Sequence, residues 1–218
     1  MEPQLDDVYA RRFDDRDAAR KDEIWRHIAR YLQRWVDRDA AVLDIACDRG
    51  DFIRNIAAGE KWATDLRDVS AYLPDEVEFV RANGLELTGS LPGDHFDVVF
   101  MSNYLEHLRS SEEVVEQLRV AASLLKRGGR LIVLQPNVRL IGGAYWDFID
   151  HHVALTEKSL AEAAQLAGCR AEAVIPRFLP YTTKSRLPQS GPLVAAYLRL
   201  RPAWLVLGKQ TLYVGSRL

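Results

Sequence analysis

Three histidines stand beside segments that could form the edge of a binding site. His107 follows the apolar segment 96–101, while His151 and His152 come directly after Asp150. The pKa of imidazole lies near neutrality, so a histidine can take a proton from a substrate hydroxyl, and a neighbouring carboxylate can orient it. These histidines are the predicted catalytic residues. Packing, hydrogen bonding to the next helix and metal binding stay open as alternatives, but no metal site is predicted.

A second group of residues could bind a nucleoside. The apolar segment 42–46, interrupted by Asp44, leads into the turn Cys47-Asp48-Arg49-Gly50. Small residues at such a turn let a ligand approach the backbone, and the following helix offers unpaired N–H groups. Asp65 ends the next predicted strand, where a carboxylate can accept hydrogen bonds from both hydroxyls of a ribose.

The elements that must position these residues alternate between strand and helix. Apolar runs predict short strands at 41–46, 61–64, 77–80, 96–101, 130–134 and 170–175, with a last strand at 210–216. Helical spacing predicts helices at 17–38 and 112–125, the second ending at the basic and glycine residues 126–129. This alternation predicts the α/β class, a Rossmann-like doubly wound sheet, mostly parallel, with helices on both faces.

The whole chain is predicted to form a single domain. Residues 1–39 would be an N-terminal helical segment, 40–175 a cofactor-binding core, 176–208 an insertion, and 209–218 the last strand. With 48% hydrophobic residues and a net charge of −2, the composition is globular and gives no overall attraction to nucleic acid. No apolar run approaches the roughly 18 residues of a membrane span, and no signal peptide is visible, so a cytoplasmic protein is expected.

Four segments resemble, in order and spacing, the motifs of class I S-adenosylmethionine-dependent methyltransferases: 42–50, Asp65, 96–108 and 124–133. The resemblance covers roughly residues 40–175 and implies S-adenosylmethionine as the cofactor. The implied cofactor contacts are Asp44, Ala46, Cys47, Asp48 and Gly50 for the methionine part, Asp65 for the ribose, Asn83 and Gly84 for the adenine, and Ser102 and Asn103 beside the sulfonium.

One departure from the family pattern concerns the turn after the first strand. The family usually has glycines at its first and third positions, where this chain has Ala46 and Asp48. The charge of Asp48 would face the carboxylate of the cofactor unless it turns away or pairs with Arg49. A member that has lost cofactor binding, acting as a non-catalytic binding protein, is the alternative. An NAD-dependent oxidoreductase would need a glycine-richer turn.

The acceptor side is predicted with the help of the family topology, which makes the last strand antiparallel. Residues 177–207 would then lie over the substrate pocket, and the predicted substrate contacts are Tyr145, Trp146, Arg177, Tyr181 and Lys184. A looser resemblance to a bacterial subgroup associated with surface-glycan assembly suggests O-methylation of a sugar, including one on a lipid-linked glycan. An N- or C-methyltransferase acting on a natural-product scaffold is the alternative. The apolar stretch 192–207 could contact a membrane or a second subunit, or pack on the sheet.

Overall fold

A seven-stranded sheet lies at the centre of the computed structural model, which describes residues 18–181 and 190–218. Its strands are β1 Ala41–Ile45, β2 Glu60–Asp65, β3 Val77–Arg81, β4 Phe96–Ser102, β5 Leu125–Pro136, β6 Cys169–Leu179 and β7 Gln210–Arg217. They lie in the order β3-β2-β1-β4-β5-β7-β6, and β7 alone runs antiparallel to its neighbours. The order reverses between β1 and β4, so the carboxyl ends of these strands are the expected ligand site.

Helices cover both faces of this sheet. They are α1 Ala18–Leu32, α2 Asp51–Asn55, α3 Ser111–Leu124, α4 Val138–Ile141, α5 Glu157–Leu166, α6 Gly191–Arg199 and α7 Arg201–Leu207. Alternate strand residues point to opposite faces: Leu43 packs in the core under α3 and α5, while Val42 packs in the core under α1 and α2. The predicted α/β doubly wound fold with an antiparallel last strand is therefore confirmed.

Several element boundaries differ from the prediction. The helix predicted at 17–38 ends at Leu32 and is followed by a 3₁₀ turn at Gln33–Trp35, and the strand predicted at 170–175 extends to Leu179. The helix predicted to end at Leu125 ends at Leu124, and Leu125 already pairs with Phe96 as the first residue of β5. The register shifts before Arg130, so the residues predicted as a helix end form an irregular first part of the strand, with Gly128 at a φ of +77°. Glycine and basic residues suit a β-bulge as well as a helix C-terminus, which explains the difference.

Residues 191–207 of the segment predicted to cover the substrate pocket form two helices that pack on one face of the sheet. Helices α6 and α7 pack against α1 on one face of the sheet, with Leu198 and Trp204 buried there. The Trp204 ring lies 5.7 Å from that of Tyr31 and 5.4 Å from that of Phe178. The alternative interpretation, helices packed onto the sheet, describes residues 191–207. No helix among the described residues is both long and apolar enough to cross a bilayer.

Candidate active site

The turn after β1 has a backbone conformation that favours glycine. Ala46 has a φ of 56° and Asp48 a φ of 50°, both in the left-handed region, and Gly50 follows at 72°. A residue with a Cβ pays roughly 1–2 kcal/mol there. Two hydrogen bonds to β2 hold the turn: Cys47 N–H donates to the Thr64 carbonyl at 2.9 Å, and Asp48 N–H donates to Asp65 Oδ2 at 3.0 Å. Backbone strain that is held by neighbouring structure is typical of functional sites.

The charge of Asp48 is paired, although not by the expected residue. Arg67 donates from Nη2 to Asp48 Oδ1 at 2.9 Å and from Nε to Asp65 Oδ1 at 3.2 Å. Lys21 adds an ion pair at 3.4 Å to Asp48. Arg49, the partner considered from the sequence, places its guanidinium 4.9 Å from the ring of Tyr72. Burial alone would raise the pKa of Asp48, but Lys21 and Arg67 outweigh it and lower that pKa, so Asp48 is ionised near neutrality.

Asp44 gives the cofactor side a second electrostatic feature. Its side chain is buried, and burial raises the pKa of Asp44 well above its usual range. The nearby carboxylates of Asp51, Asp65 and Asp48 raise it further, against a hydrogen bond from the backbone N–H of Ile53. A positively charged group of a ligand close to Asp44 would favour the ionised form of this carboxyl. Burial also raises the pKa of the neighbouring Cys47 thiol, so it stays protonated.

The predicted adenine and sulfonium contacts lie at the carboxyl ends of β3 and β4. Asn83 is exposed, and its side chain accepts a hydrogen bond from Leu85 N–H. A Cβ on Gly84 would stand 2.4 Å from the hydroxyl of Tyr104, so a close approach by Tyr104 requires this glycine. Asn103 has a φ of 49° and donates from Nδ2 to Ser102 Oγ at 3.1 Å. The predicted cofactor residues therefore lie at the carboxyl ends of β1, β2, β3 and β4 or in the turns that follow these strands.

His107 and His151 are brought together beside this edge. Their ring centroids are 5.2 Å apart. His107 Nδ1 lies 2.9 Å from the Asp150 carbonyl oxygen and 3.4 Å from Asp150 Oδ2. Because a carbonyl oxygen only accepts, Nδ1 is the donor, and Nε2 is left to accept a proton or bind a ligand. The Asp150–His107 pair has the arrangement of a base with its orienting partner.

Glu106 belongs to the same cluster and was not predicted as a site residue. It is 1% exposed and accepts a hydrogen bond from Gln135 Nε2 at 3.0 Å. Burial raises the pKa of Glu106, although the charge of His107 acts in the opposite direction. One ligand atom from each of Glu106, His107 and His151 lies within 4.8 Å of the others, a spacing that could hold a metal ion. The signal in the sequence was a carboxylate directly before a histidine in the segment after β4.

The other residues predicted to contact the methyl acceptor differ from His107 and His151 in their exposure and contacts. His152 is exposed, and its backbone N–H donates to the Glu106 carbonyl at 2.8 Å. Tyr145 is fully buried behind His151, with ring centroids 4.8 Å apart, and its hydroxyl donates to the Val153 carbonyl. Tyr145 therefore supports His151, whereas Trp146 is half exposed and available to a substrate.

The late residues predicted to contact substrate separate into two places. The ring of Tyr181 lies 6.3 Å from that of Phe148, which stacks on His151 at 5.0 Å. Arg177 instead donates to the Gly208 carbonyl at 3.4 Å and lines an open apolar groove of about 570 Å³ between β6 and α7. Lys184 lies outside the described residues.

Comparison with known proteins gives a family match. The family model described as a methyltransferase domain matches residues 16–174. A search of curated proteins finds no match.

Solved structures with the same fold include three that cover most of this chain. A chain in the Haloferax volcanii complex of the Trm112 methyltransferase activator with a methyltransferase has a TM-score of 0.66 and 18% identity, covering 93% of this chain and 94% of that one. A SAM-dependent methyltransferase from Archaeoglobus fulgidus has a TM-score of 0.61 and 19% identity, covering 87% and 93%. Geranyl diphosphate C-methyltransferase from Streptomyces coelicolor has a TM-score of 0.60 and 14% identity, covering 88% and 78%. Identities this low establish a common fold and no common substrate.

Proposed function

The chain belongs to the class I S-adenosylmethionine-dependent methyltransferase family, and we propose that it methylates a hydroxyl oxygen of a glycan or another hydroxylated small molecule. The observation that carries this proposal is the Asp150–His107 pair, with His151 beside it. His107 lies in the turn that follows Ser102 and Asn103, and Asp150 and His151 lie in the loop before α5. A hydroxyl must lose its proton during methylation, and in this proposal an imidazole of the pair accepts it.

On the cofactor side, we propose that Asp65 binds the ribose hydroxyls and that the strained turn at Ala46 and Asp48 approaches the methionine part. The cofactor supplies an electrophilic methyl group when it is bound. Asp65 now accepts hydrogen bonds from Arg67 and from Asp48 N–H, so binding a ribose requires its carboxylate to share or exchange these partners. The pairing of Asp48 with Arg67 and Lys21 compensates its negative charge and would thereby weaken its repulsion of the cofactor carboxylate.

On the acceptor side, His107 Nε2 takes the proton of the hydroxyl while Asp150 holds the ring. The rings of Phe148, Tyr181 and Trp146 would pack against the acceptor. Aromatic faces of this kind suit sugar rings, which present C–H groups on one side. Alignment of the nucleophile with the methyl group supplies most of the rate enhancement in a single displacement.

A lipid-linked acceptor, a peripheral membrane contact and a homodimer stay predictions. They are supported by the exposed apolar side chains of α7, since Leu205 is 71% and Val206 76% exposed. An apolar surface flanked by the basic residues Arg199 and Arg201 suits an interface with anionic lipid.

Binding of the cofactor is tested by thermal unfolding with and without S-adenosylmethionine. At about 100 times its dissociation constant a ligand stabilises the fold by roughly 2.7 kcal/mol. For a chain of this size, the midpoint should rise by roughly 5–11 °C. Absence of any rise at saturating ligand would support the non-catalytic alternative.

The chemistry of transfer is tested with S-adenosylmethionine that carries an isotopically labelled methyl group. The acceptors are hexose glycosides with short and long alkyl aglycones, and amino sugars of the same ring configuration. The NMR shift of the labelled carbon separates an O-methyl product from an N-methyl or a C-methyl product. Labelling of nitrogen or carbon with no O-methyl product contradicts the proposal, and a preference for the long aglycone favours a lipid-linked acceptor.

A further inference from the structure

We propose that Glu106, His107 and His151 form a binding site for a divalent transition-metal ion. The site itself follows from the geometry of the three side chains, whereas its role at the acceptor hydroxyl rests on the proposed function.

Backbone hydrogen bonds assemble the three ligands from two separate segments. Glu106 and His107 lie in the 3₁₀ turn after β4, and His151 lies in the loop before α5. Two consecutive N–H groups of that loop, those of His152 and Val153, donate to the Glu106 carbonyl at 2.8 and 3.2 Å. The loop is thereby fixed to the turn next to the ligands themselves.

The spacing of the ligand atoms is close to that of a metal site. One atom from each residue lies within 4.8 Å of the others. Ligands about 2.1 Å from a tetrahedral ion stand roughly 3.5 Å apart. Side-chain rotations that move the atoms by about 1 Å would therefore close the site, as ligand geometry commonly tightens when a metal binds.

Outer hydrogen bonds hold two of the ligands in a metal-binding orientation. His107 donates from Nδ1 to the Asp150 carbonyl at 2.9 Å, which leaves the lone pair of Nε2 for the ion. Gln135 donates to Glu106 Oε2 at 3.0 Å, which leaves Oε1. A histidine that donates its second nitrogen to a carbonyl or carboxylate is the usual arrangement around protein-bound metals.

The charge balance around Glu106 gives an independent reason to expect a cation. Glu106 is 1% exposed, and within residues 18–181 and 190–218 no lysine or arginine forms an ion pair with it. The carboxylates of Asp48, Asp65 and Asp97, in contrast, each pair with lysine or arginine. A buried carboxylate is costly unless it is paired or bound to a metal, and a divalent ion would compensate Glu106.

The ligand set indicates which metal ions the site would bind and what the bound ion would do. Two imidazole nitrogens and one carboxylate suit Zn²⁺, Fe²⁺, Co²⁺ or Mn²⁺ better than Ca²⁺ or Mg²⁺. Three protein ligands leave an open position, as in catalytic metal sites. The acceptor hydroxyl would bind there and lose its proton more readily, since a bound divalent ion lowers the pKa of an oxygen ligand. His107 would then serve as a ligand, and the ion would take over its part in activating the hydroxyl.

Titration of the chelator-treated full-length protein with Co²⁺ tests the site directly, because bound Co²⁺ has a visible ligand-field absorption. Wild type should bind one Co²⁺ per chain. His151→Gln and Glu106→Gln should bind it at least about 100-fold more weakly, since loss of an outer partner alone costs 10–100-fold. His152→Gln is the matched control, because it removes the adjacent exposed imidazole.

Absence of a ligand-field band in wild type, or an unchanged titration of His151→Gln, overturns the proposal and leaves a hydrogen-bonded polar cluster. Circular dichroism of each variant checks folding, and His107→Gln replaces Glu106→Gln if that variant does not fold.

Calorimetric binding of S-adenosylmethionine to the same samples separates the two proposals. If the protein binds S-adenosylmethionine but not Co²⁺, the metal-site proposal is overturned and the methyltransferase proposal stands. Full-rate methyl transfer by metal-free protein overturns the role of the ion at the hydroxyl.

Discussion

The two halves of the sheet edge handle buried negative charge in opposite ways. In the cofactor half, Asp48 pairs with Arg67 and Lys21, and its pKa is lowered against the effect of burial. In the acceptor half, Glu106 is surrounded by Gln135, His107 and His151, and burial raises its pKa. Asp48 is therefore ionised near neutrality, whereas Glu106 can exchange a proton or take up a cation. Under the proposed function, cofactor binding and proton transfer belong to different sides of one edge.

The largest expected effect is that of His107→Gln on the rate of methyl transfer. This change should affect the acceptor half and leave the cofactor half unaltered. The rate of methyl transfer should fall by roughly 10²- to 10⁴-fold, the usual contribution of a positioned acid or base. The affinity for S-adenosylmethionine should stay nearly unchanged, because among the described residues the hydrogen bonds, ion pair and ring contact of His107 go to Asp150, His151 and Tyr104 and to none of the proposed cofactor residues. Steady-state rates and calorimetry on the same preparation measure both quantities. If the affinity for the cofactor fell by the same factor as the rate, the two halves would not have separate roles.

The second effect is on cofactor affinity, through Asp65→Asn. A hydrogen bond to a charged group contributes about 1.5–3 kcal/mol, so weakening both ribose contacts should raise the dissociation constant by about 100-fold. Asp68→Asn is the matched control, since Asp68 is an exposed carboxylate bonded to Ser70. Calorimetric titration measures the affinity. If the two variants bind S-adenosylmethionine with equal affinity, Asp65 does not contact the cofactor.

Glu106→Gln should change stability in metal-free protein. A carboxyl whose folded-state pKa is raised stabilises the fold most at acidic pH, and its contribution is lost as pH rises through the folded pKa. The variant keeps an acceptor for Gln135 but has no charge to bury, so it should be more stable than wild type at pH 7 by roughly 1–2 kcal/mol. Urea unfolding across a pH series should show the advantage shrinking as pH falls. An advantage that does not depend on pH would contradict this account.

The smallest effect, with the opposite trend, is expected from Asp48→Asn. A lowered pKa means that the ion pairs with Arg67 and Lys21 stabilise the fold above the ordinary pKa of aspartate and are lost as pH falls through the lowered value. The variant should be less stable than wild type at pH 7 by up to about 1 kcal/mol. The same urea series should show this deficit shrinking as the pH falls below the ordinary pKa of aspartate, about 3.9. A deficit that persists in acid would mean that Asp48 stabilises the turn by other means.

Local patterns in the sequence carried enough information for the fold. Apolar alternation placed the strands, and the position of Asp65 at a strand end is the basis of the proposed ribose contact, which stays a prediction. Arg67 was missed because its pairing with Asp48 depends on how the chain bends after β2. The burial of Tyr145 was missed because a tyrosine in a loop gives no sign of which side packs.

Contacts between segments far apart in sequence could not be predicted in the same way. Glu106 joins His151 only when the loop before α5 folds against the turn after β4. The packing of α6 and α7 on α1 could not be predicted for the same reason. An apolar helix can cover a sheet, a partner subunit or a membrane. Local spacing does not distinguish these surroundings.

The position of β7 between β5 and β6 has a consequence for synthesis on the ribosome. Both neighbouring strands leave the ribosome before residues 210–217, and the facing edges of β5 and β6 then expose unpaired N–H and C=O groups. At 5–20 residues per second, synthesis from residue 180 to 217 takes roughly 2–8 s. During that interval the nascent chain offers two open edges to other strands. Its yield in cells should therefore depend on translation speed and on chaperones that shield such edges.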